Sequence, residues 1–294
     1  MFKRYLPYIA ALVTVTMWAS AYPFARYALS VYTPRGLILA RFLVATATLL
    51  VVNIIASKGK PRLPDRVDVP WFIMSGFLGI FVYTWLFHEG LERVDAGVAS
   101  FIMAFNPVIV MVLSVLVLKE PIRRRGVIGF VISMAGLVLV TLTQAEGFEI
   151  NPGVFFLFIA ACVIATYPIL QRRLLRKYSP IQTASYCIAA GTAFMIAFAG
   201  DTIDGLLASN LGVHLMVLYL GAFPAALGFF LWGYALSKID NTLRITNFLY
   251  LMPFIASLSA FVVLGEVITL MELLGGTIII LGMLVANGRA RRSA

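Results

Sequence analysis

Long unbroken runs of apolar residues, separated by charged clusters, Pro or Gly, extend along the whole chain. Runs of about 20 residues match a helix that crosses the hydrocarbon of a bilayer. Ten are predicted, at about 7–29, 35–56, 70–90, 97–118, 125–144, 152–171, 181–199, 212–237, 244–264 and 270–287. Apolar positions do not alternate with polar ones, which excludes a membrane β-barrel. The eighth run is the longest and carries Gly221, Pro224, Gly228 and Gly233, so a kink or tilt is expected there.

Composition removes the soluble alternatives. Of the 294 residues, 61% are hydrophobic and 12% charged, with a mean hydropathy of +0.95. A water-facing shell needs more polar cover than this. Ten spans use about 200 residues and leave too few for a separate catalytic or binding domain. Cys162 and Cys187 lie inside apolar runs, outside any metal or redox spacing, and read as packing residues.

The net charge of +10 is a topology signal. One set of connections and ends holds 19 of the 23 Lys and Arg residues, among them Lys3, Arg4, Lys58, Arg124, Arg173, Lys177 and Arg292. The other face holds only Arg26, Arg35, Arg41 and Arg93. The richer face is cytoplasmic by the positive-inside rule, so both termini are expected in the cytoplasm. A basic rim of this kind meets an anionic leaflet, and no nucleic-acid partner is implied. Ala19-Ser20-Ala21 resembles a signal cleavage site, but cleavage there would leave an odd number of spans and break the repeat described next.

The two halves repeat at one offset. Tyr22-Pro23 corresponds to Tyr167-Pro168, Pro34 to Pro180, Pro107 to Pro253, Glu120 to Glu266, and Gly129 and Gly136 to Gly275 and Gly282, each 145 or 146 residues on. A repeat of five spans must enter the membrane in opposite senses. The expected architecture is therefore an all-α integral membrane protein of ten transmembrane helices in two inverted five-helix repeats, residues 1–146 and 147–294. Inverted repeats suit alternating access, because exchanging the conformations of the halves turns an inward-open state into an outward-open one. The glycine pairs, two helical turns apart, are expected to let scaffold helices approach closely.

These residues resemble a known family. Asn106-Pro107 through Leu118-Lys119-Glu120-Pro121, followed by a Gly-spaced span, resembles the first EamA module of the drug/metabolite transporter superfamily. Met252-Pro253 through Leu264-Gly265-Glu266, followed by Gly275-Gly276, resembles the second. The resemblance implies a ten-helix transporter with a central cavity lined mainly by spans 1, 3, 4, 6, 8 and 9. Its aromatic spans and His88 are similar to YddG-type amino-acid exporters.

Polar and aromatic residues within spans are the candidate substrate contacts. Phe81, Trp85 and His88 are expected on one helical face, able to stack a side chain and bond a carboxylate or amine, or else to form an interfacial aromatic belt. Trp18, Tyr22, Asn106, Tyr167, Trp232, Asn247 and Tyr250 complete the expected cavity. Pro23, Pro107, Pro168, Pro224 and Pro253 are expected hinges or kinks, each freeing a backbone carbonyl. Such a cavity, aromatic and poor in fixed charge, suits an amino acid with an apolar or aromatic side chain better than a phosphorylated metabolite.

No catalytic residue, metal or cofactor is indicated: His88-Glu89 lacks the second His of a zinc protease motif, and no serine stands in a nucleophile elbow. Glu120 and Glu266 are expected to bond helix ends rather than carry protons. The reading is a multi-pass inner (plasma) membrane exporter of amino acids or related small metabolites, monomeric rather than an obligate oligomer. It is expected to work by facilitated efflux, with proton coupling through His88 the lesser option. The alternatives are a multidrug or other metabolite exporter of the same superfamily, or a non-catalytic pore.

Overall fold

The computed structural model describes residues 2–59, 63–106, 109, 124–142, 145–146, 149–238, 245 and 247–287. The first half holds α1 (Phe2–Ala28), α2 (Pro34–Ala56), α3 (Val69–Gly76) and α4 (Tyr83–Leu91), the last two joined by a π-helical stretch over Phe77–Val82. It continues with α5 (Ala96–Met103) and α6 (Arg124–Leu142). A two-residue antiparallel ladder, β1 (Ala145–Glu146) with β2 (Glu149–Ile150), links the halves.

The second half opens with α7 (Pro152–Ile164), α8 (Tyr167–Leu175), α9 (Pro180–Met195) and α10 (Ala199–Ala208). Then come α11 (Leu211–Leu220), a π-helical stretch over Gly221–Gly228 and α12 (Phe229–Lys238). A 3-10 turn over Asn247–Leu251, α13 (Met252–Leu264) and α14 (Leu270–Asn287) close the chain.

Among the described residues, five stretches are long and apolar enough to cross a membrane: Tyr5–Ala28, Pro34–Ala56, Val69–Leu91, Pro180–Ala208 and Leu211–Lys238. Shorter apolar helices occupy Pro152–Ile164, Met252–Leu264 and Leu270–Gly282. Val51, Ile55, Leu207, Leu211 and Val262 stand exposed on the outer surface, the composition of a face that meets lipid. The seventh expected span corresponds to the stretch Pro180–Ala208, formed by α9, a 3-10 turn over Ile196–Phe198 and α10, and runs past the end near 199 expected from the sequence. Asp201 falls in the first turn of α10, where the helix dipole favours a carboxylate, so its charge does not end the helix.

Local chemistry sets the helix starts. Thr33 caps α2, its hydroxyl accepting from Gly36 N–H at 3.1 Å, with Pro34 at the first turn. Ser179 caps α9 in a reciprocal box with Gln182, with Pro180 in the same place. Each cap satisfies an orphan donor, and each proline sits where its missing N–H costs nothing. Gly265 ends α13 at φ 72, a left-handed conformation that favours glycine.

Two helix pairs bring corresponding residues of the halves into contact. Thr46 in α2 and Thr192 in α9, 146 residues apart, share a hydroxyl hydrogen bond of 2.8 Å. In α6 and α14, Ser133 Oγ donates to the Ile279 carbonyl at 3.0 Å, again 146 apart. The glycines contact reciprocally: a Cβ on Gly136 would stand 2.6 Å from the Gly275 carbonyl oxygen, and one on Gly282 2.6 Å from that of Gly129. This is the close scaffold packing expected of those pairs. The π-helical stretches also correspond, because Phe77–Val82 moved on by 146 falls inside Gly221–Gly228.

Candidate functional site

Helix α1 carries the centre of the candidate site. Trp18 donates its indole N–H to the Pro224 carbonyl at 3.0 Å, and its ring lies 5.2 Å from Trp232 and 5.5 Å from Phe229. A Cβ on Gly228 would stand 2.8 Å from the Trp18 indole nitrogen, so glycine there lets the second π-helical stretch close on α1. One turn on, Tyr22 is buried; its hydroxyl donates to Met252 Sδ at 3.7 Å, and its ring meets Phe87 edge-on at 5.2 Å. Trp18, Trp232 and Tyr22 thus join spans 1, 3, 8 and 9.

The trio on span 3 divides. Phe81 and Trp85 stack at 6.1 Å and pack with Phe198, with Arg35 5.6 Å over the Trp85 ring. The Trp85 indole donates to Glu89 at 3.0 Å. His88 is wholly buried and bonds Arg41 through Nε2 at 3.1 Å and the Thr84 carbonyl through Nδ1 at 2.7 Å. The first π-helical stretch takes in Phe81, so ideal α-helical spacing does not hold through it. The buried Arg41 is the residue that sequence reasoning set aside; its signal was a charge seven residues inside an apolar run.

Of the remaining candidates, Asn106 and Tyr167 hold helices together. Asn106 donates to the Ala161 carbonyl at 2.9 Å, tying the chain just past α5 to α7. Tyr167 is buried with its ring edge-on to Phe229 at 5.8 Å and against Gly79, where a Cβ would overlap it. Asn247 and Tyr250 have their backbones in the 3-10 turn before α13, while their side chains lie outside the described residues.

Of the prolines, Pro168 follows the break between α7 and α8, Pro224 lies inside a π-helical stretch, and Pro253 starts α13 after the 3-10 turn. Helix α1 continues through Pro23, and Pro107 lies outside the described residues. Irregular backbone therefore attends three of these five positions.

Both ends of the bundle carry polar ties. At the end that the charge distribution assigns to the outside, Glu266 accepts from Ala96 N–H at 3.2 Å and Gly97 N–H at 3.3 Å. It also pairs with Arg26 at 3.4 Å. Arg26 further donates to the Leu91 carbonyl at 2.6 Å and to that of Val94, and reaches Asp95 at 3.4 Å. As expected, Glu266 bonds a helix end. Burial lifts its carboxyl above the usual carboxylate range, an effect its two N–H bonds oppose. Beside it a crevice lined by Gly97, Ser257 and Glu272 holds about 10 Å³, room for about one water.

At the opposite end Lys177 pairs with Asp65 at 2.6 Å and with Asp68 at 2.5 Å, and Tyr178 donates to Asp68 at 2.9 Å. The bonds from Lys177 and Tyr178 hold the Asp68 carboxyl below its ordinary range, and those to Asp65 and Asp68 raise the Lys177 ammonium.

Comparison with known proteins gives one consistent result. A profile of the EamA-like transporter family matches residues 6–142 and 151–288. A Streptantibioticus cattleyicolor protein described as a probable terminal-alkyne amino-acid exporter is 31% identical over 280 residues, covering 95% of this chain and 93% of that one. The uncharacterized transporter YdfC of Bacillus subtilis is 30% identical over 269 residues, covering 92% and 87%. A crystal structure 21% identical in sequence superposes with a TM-score of 0.69 over 97% of each chain, a likeness of fold alone.

Proposed function

The chain belongs to the EamA-like transporter family, and on that premise we propose that it exports amino acids with apolar or aromatic side chains across the inner membrane by alternating access. It is a multi-pass membrane transporter and not an enzyme. The finer reading of ten spans in two inverted halves is supported by the contacts between residues 146 apart at Thr46–Thr192 and Ser133–Ile279, and that of cytoplasmic termini by the distribution of Lys and Arg. In a two-fold arrangement, residues on the axis meet their own counterparts. The match of the family profile to two segments of similar length supports the same division.

The observation that carries the substrate class is the aromatic and thioether wall of Trp18, Trp232, Tyr22, Phe87 and Met252 where spans 1, 3, 8 and 9 meet. Aromatic faces and a polarizable sulfur favour an apolar or aromatic side chain. The relative described as an amino-acid exporter supports this class. Facilitated efflux is the simpler mechanism, since both ring nitrogens of His88 already have partners.

The test is counterflow of radiolabelled amino acids in proteoliposomes. Saturable exchange of phenylalanine, leucine or tryptophan with no ion gradient is the expected result. Flux that rises without saturation would indicate a pore, and flux only with a pH gradient would indicate proton coupling.

A further inference from the structure

Arg41 is a buried cation that pairs with no carboxylate among the described residues. It is 7% exposed and lies seven residues into α2, about 10 Å along the axis from Pro34. One donor, Nη1, meets His88 Nε2, whereas Nε is buried without a partner. The tautomer of His88 follows from its own bonds. A carbonyl only accepts, so Nδ1 carries the proton toward Thr84 and Nε2 turns its lone pair to the guanidinium. His88 thus orients Arg41 without neutralising it. One turn before His88, Thr84 Oγ1 is likewise buried and unpartnered.

A charge held in a low-dielectric interior is costly unless a counter-charge joins it. Within a membrane-embedded bundle such a residue marks a substrate or ion path. The surroundings point inward, because the His88 ring meets Phe87 edge-on at 5.2 Å and Phe87 in turn meets Tyr22 at 5.2 Å.

We propose that Arg41 is the carboxylate subsite of this transporter, with His88 as the positioning residue that fixes the guanidinium fork. The proposal rests on the amino-acid export reading and names the group by which the substrate is held. A guanidinium presents parallel N–H donors that match the two oxygens of a carboxylate. The unused Nε–H supplies one donor of such a fork, and the buried Thr84 hydroxyl one turn before His88 can add another. Phe87, edge-on to His88, and Tyr22 beside it can hold the side chain of the same molecule. The subsite requires the carboxylate and does not require the amine.

Two competitors of tritiated L-phenylalanine counterflow separate these requirements in the full-length protein. 3-Phenylpropionate keeps the carboxylate and lacks the amine, whereas L-phenylalaninamide keeps the amine and lacks the carboxylate. Competition by 3-phenylpropionate at least about tenfold stronger than by the amide is expected, each well-made ionic fork being worth a factor of that order.

In Arg41→Gln that ratio falls toward one. Arg41→Lys keeps the charge and loses the fork, so carboxylate competition weakens while that of the amide stays unchanged. His88→Gln lowers the ratio too, where a merely structural role would weaken both competitors alike. Equal competition in the wild type overturns the subsite and leaves export standing if L-phenylalanine still exchanges. If no amino acid exchanges, yet 3-phenylpropionate raises the melting temperature of the wild type and not of Arg41→Gln, export fails and the subsite stands. Should Arg41→Gln not fold, an unchanged ratio in Arg41→Lys overturns the fork.

Discussion

Replacing Glu266 tests what ties the start of α5 to the end of α13. Helix α5 begins after Asp95, whose side chain makes no capping bond, and Glu266 from the other half accepts from the first two N–H groups in its place. Ala96 is wholly buried, so Glu266→Ala removes the acceptor of a buried N–H. Gly97 is only partly buried, and water can serve it. The cost is therefore about 2 kcal/mol, the penalty of one buried unsatisfied donor. That corresponds to a roughly 30-fold rise in the fraction of molecules open at this end.

The assay places a cysteine at Ser257, which is 2% exposed and borders the crevice beside Gly97. Cys162 and Cys187 are first replaced by alanine. A membrane-impermeant thiol reagent applied from outside then labels in proportion to the open fraction, so Glu266→Ala is expected to label about 30-fold faster. Glu266→Gln separates acceptor from charge. Burial is the leading influence on this carboxyl and penalises its ionised form, so its charge is not the main tie. Gln keeps one acceptor and is expected to stay within a few-fold of the wild type.

The pH dependence has a definite sign. When the end opens, the carboxyl hydrates and returns to its ordinary pKa, about 4.3. The closed state, with its raised value, binds the proton more tightly, so closure is favoured as pH falls and loses that advantage as pH rises through the raised value. Labelling relative to Glu266→Gln should therefore slow on acidification. Wild-type labelling in Glu266→Ala, or equal opening in Glu266→Gln, would refute the reasoning and move the tie to the Arg26 ion pair.

Three further outcomes are expected. Trp18→Phe removes the bond to the Pro224 carbonyl and keeps the ring contacts, so it should lower proteoliposome export several-fold at equal membrane expression, and Trp18→Ala should lower it further. Normal export by both would remove Trp18 from the path. Gly136→Leu pushes a Cβ onto the backbone of Gly275 and Ile279, which cannot step aside; it should cost at least about 1–3 kcal/mol and lower the melting temperature in detergent. Gly200→Leu, which meets nothing within 4 Å, is the control with an unchanged midpoint. The stabilisation from the lowered Asp68 carboxyl is present above the ordinary carboxylate range and lost as pH falls through its folded value. The acid side of a melting-temperature profile should accordingly flatten in Asp68→Asn.

The parts of this fold that were legible in the sequence are those where one residue type has one physical use. Apolar runs announce helices, and Gly136 and Gly282 announce a close crossing. Phe81, Trp85 and His88 were harder to read, because their spacing was judged on an α-helix while the chain inserts a π-helical stretch just before Trp85. A π turn is closed by tertiary contacts, here with α7–α9 and the Tyr167 ring on Gly79, and leaves no local signature to read.

Arg41 was hidden for a different reason. Counting residues from the end of a span gives depth along the membrane normal, and by that measure Arg41 belongs with the outer arginines. Burial depends instead on which neighbours surround the residue: His88 of span 3 bonds the guanidinium, and Gly221 allows the second π-helical stretch to lie directly on the Arg41 backbone. The same charge that served as a topology marker in the sequence thus becomes a buried, oriented guanidinium once the helices pack around it. Depth and enclosure are separate quantities: Arg41 lies six residues farther along α2 than Arg35 and is also enclosed, whereas Arg35 stays exposed over Trp85 and Phe198.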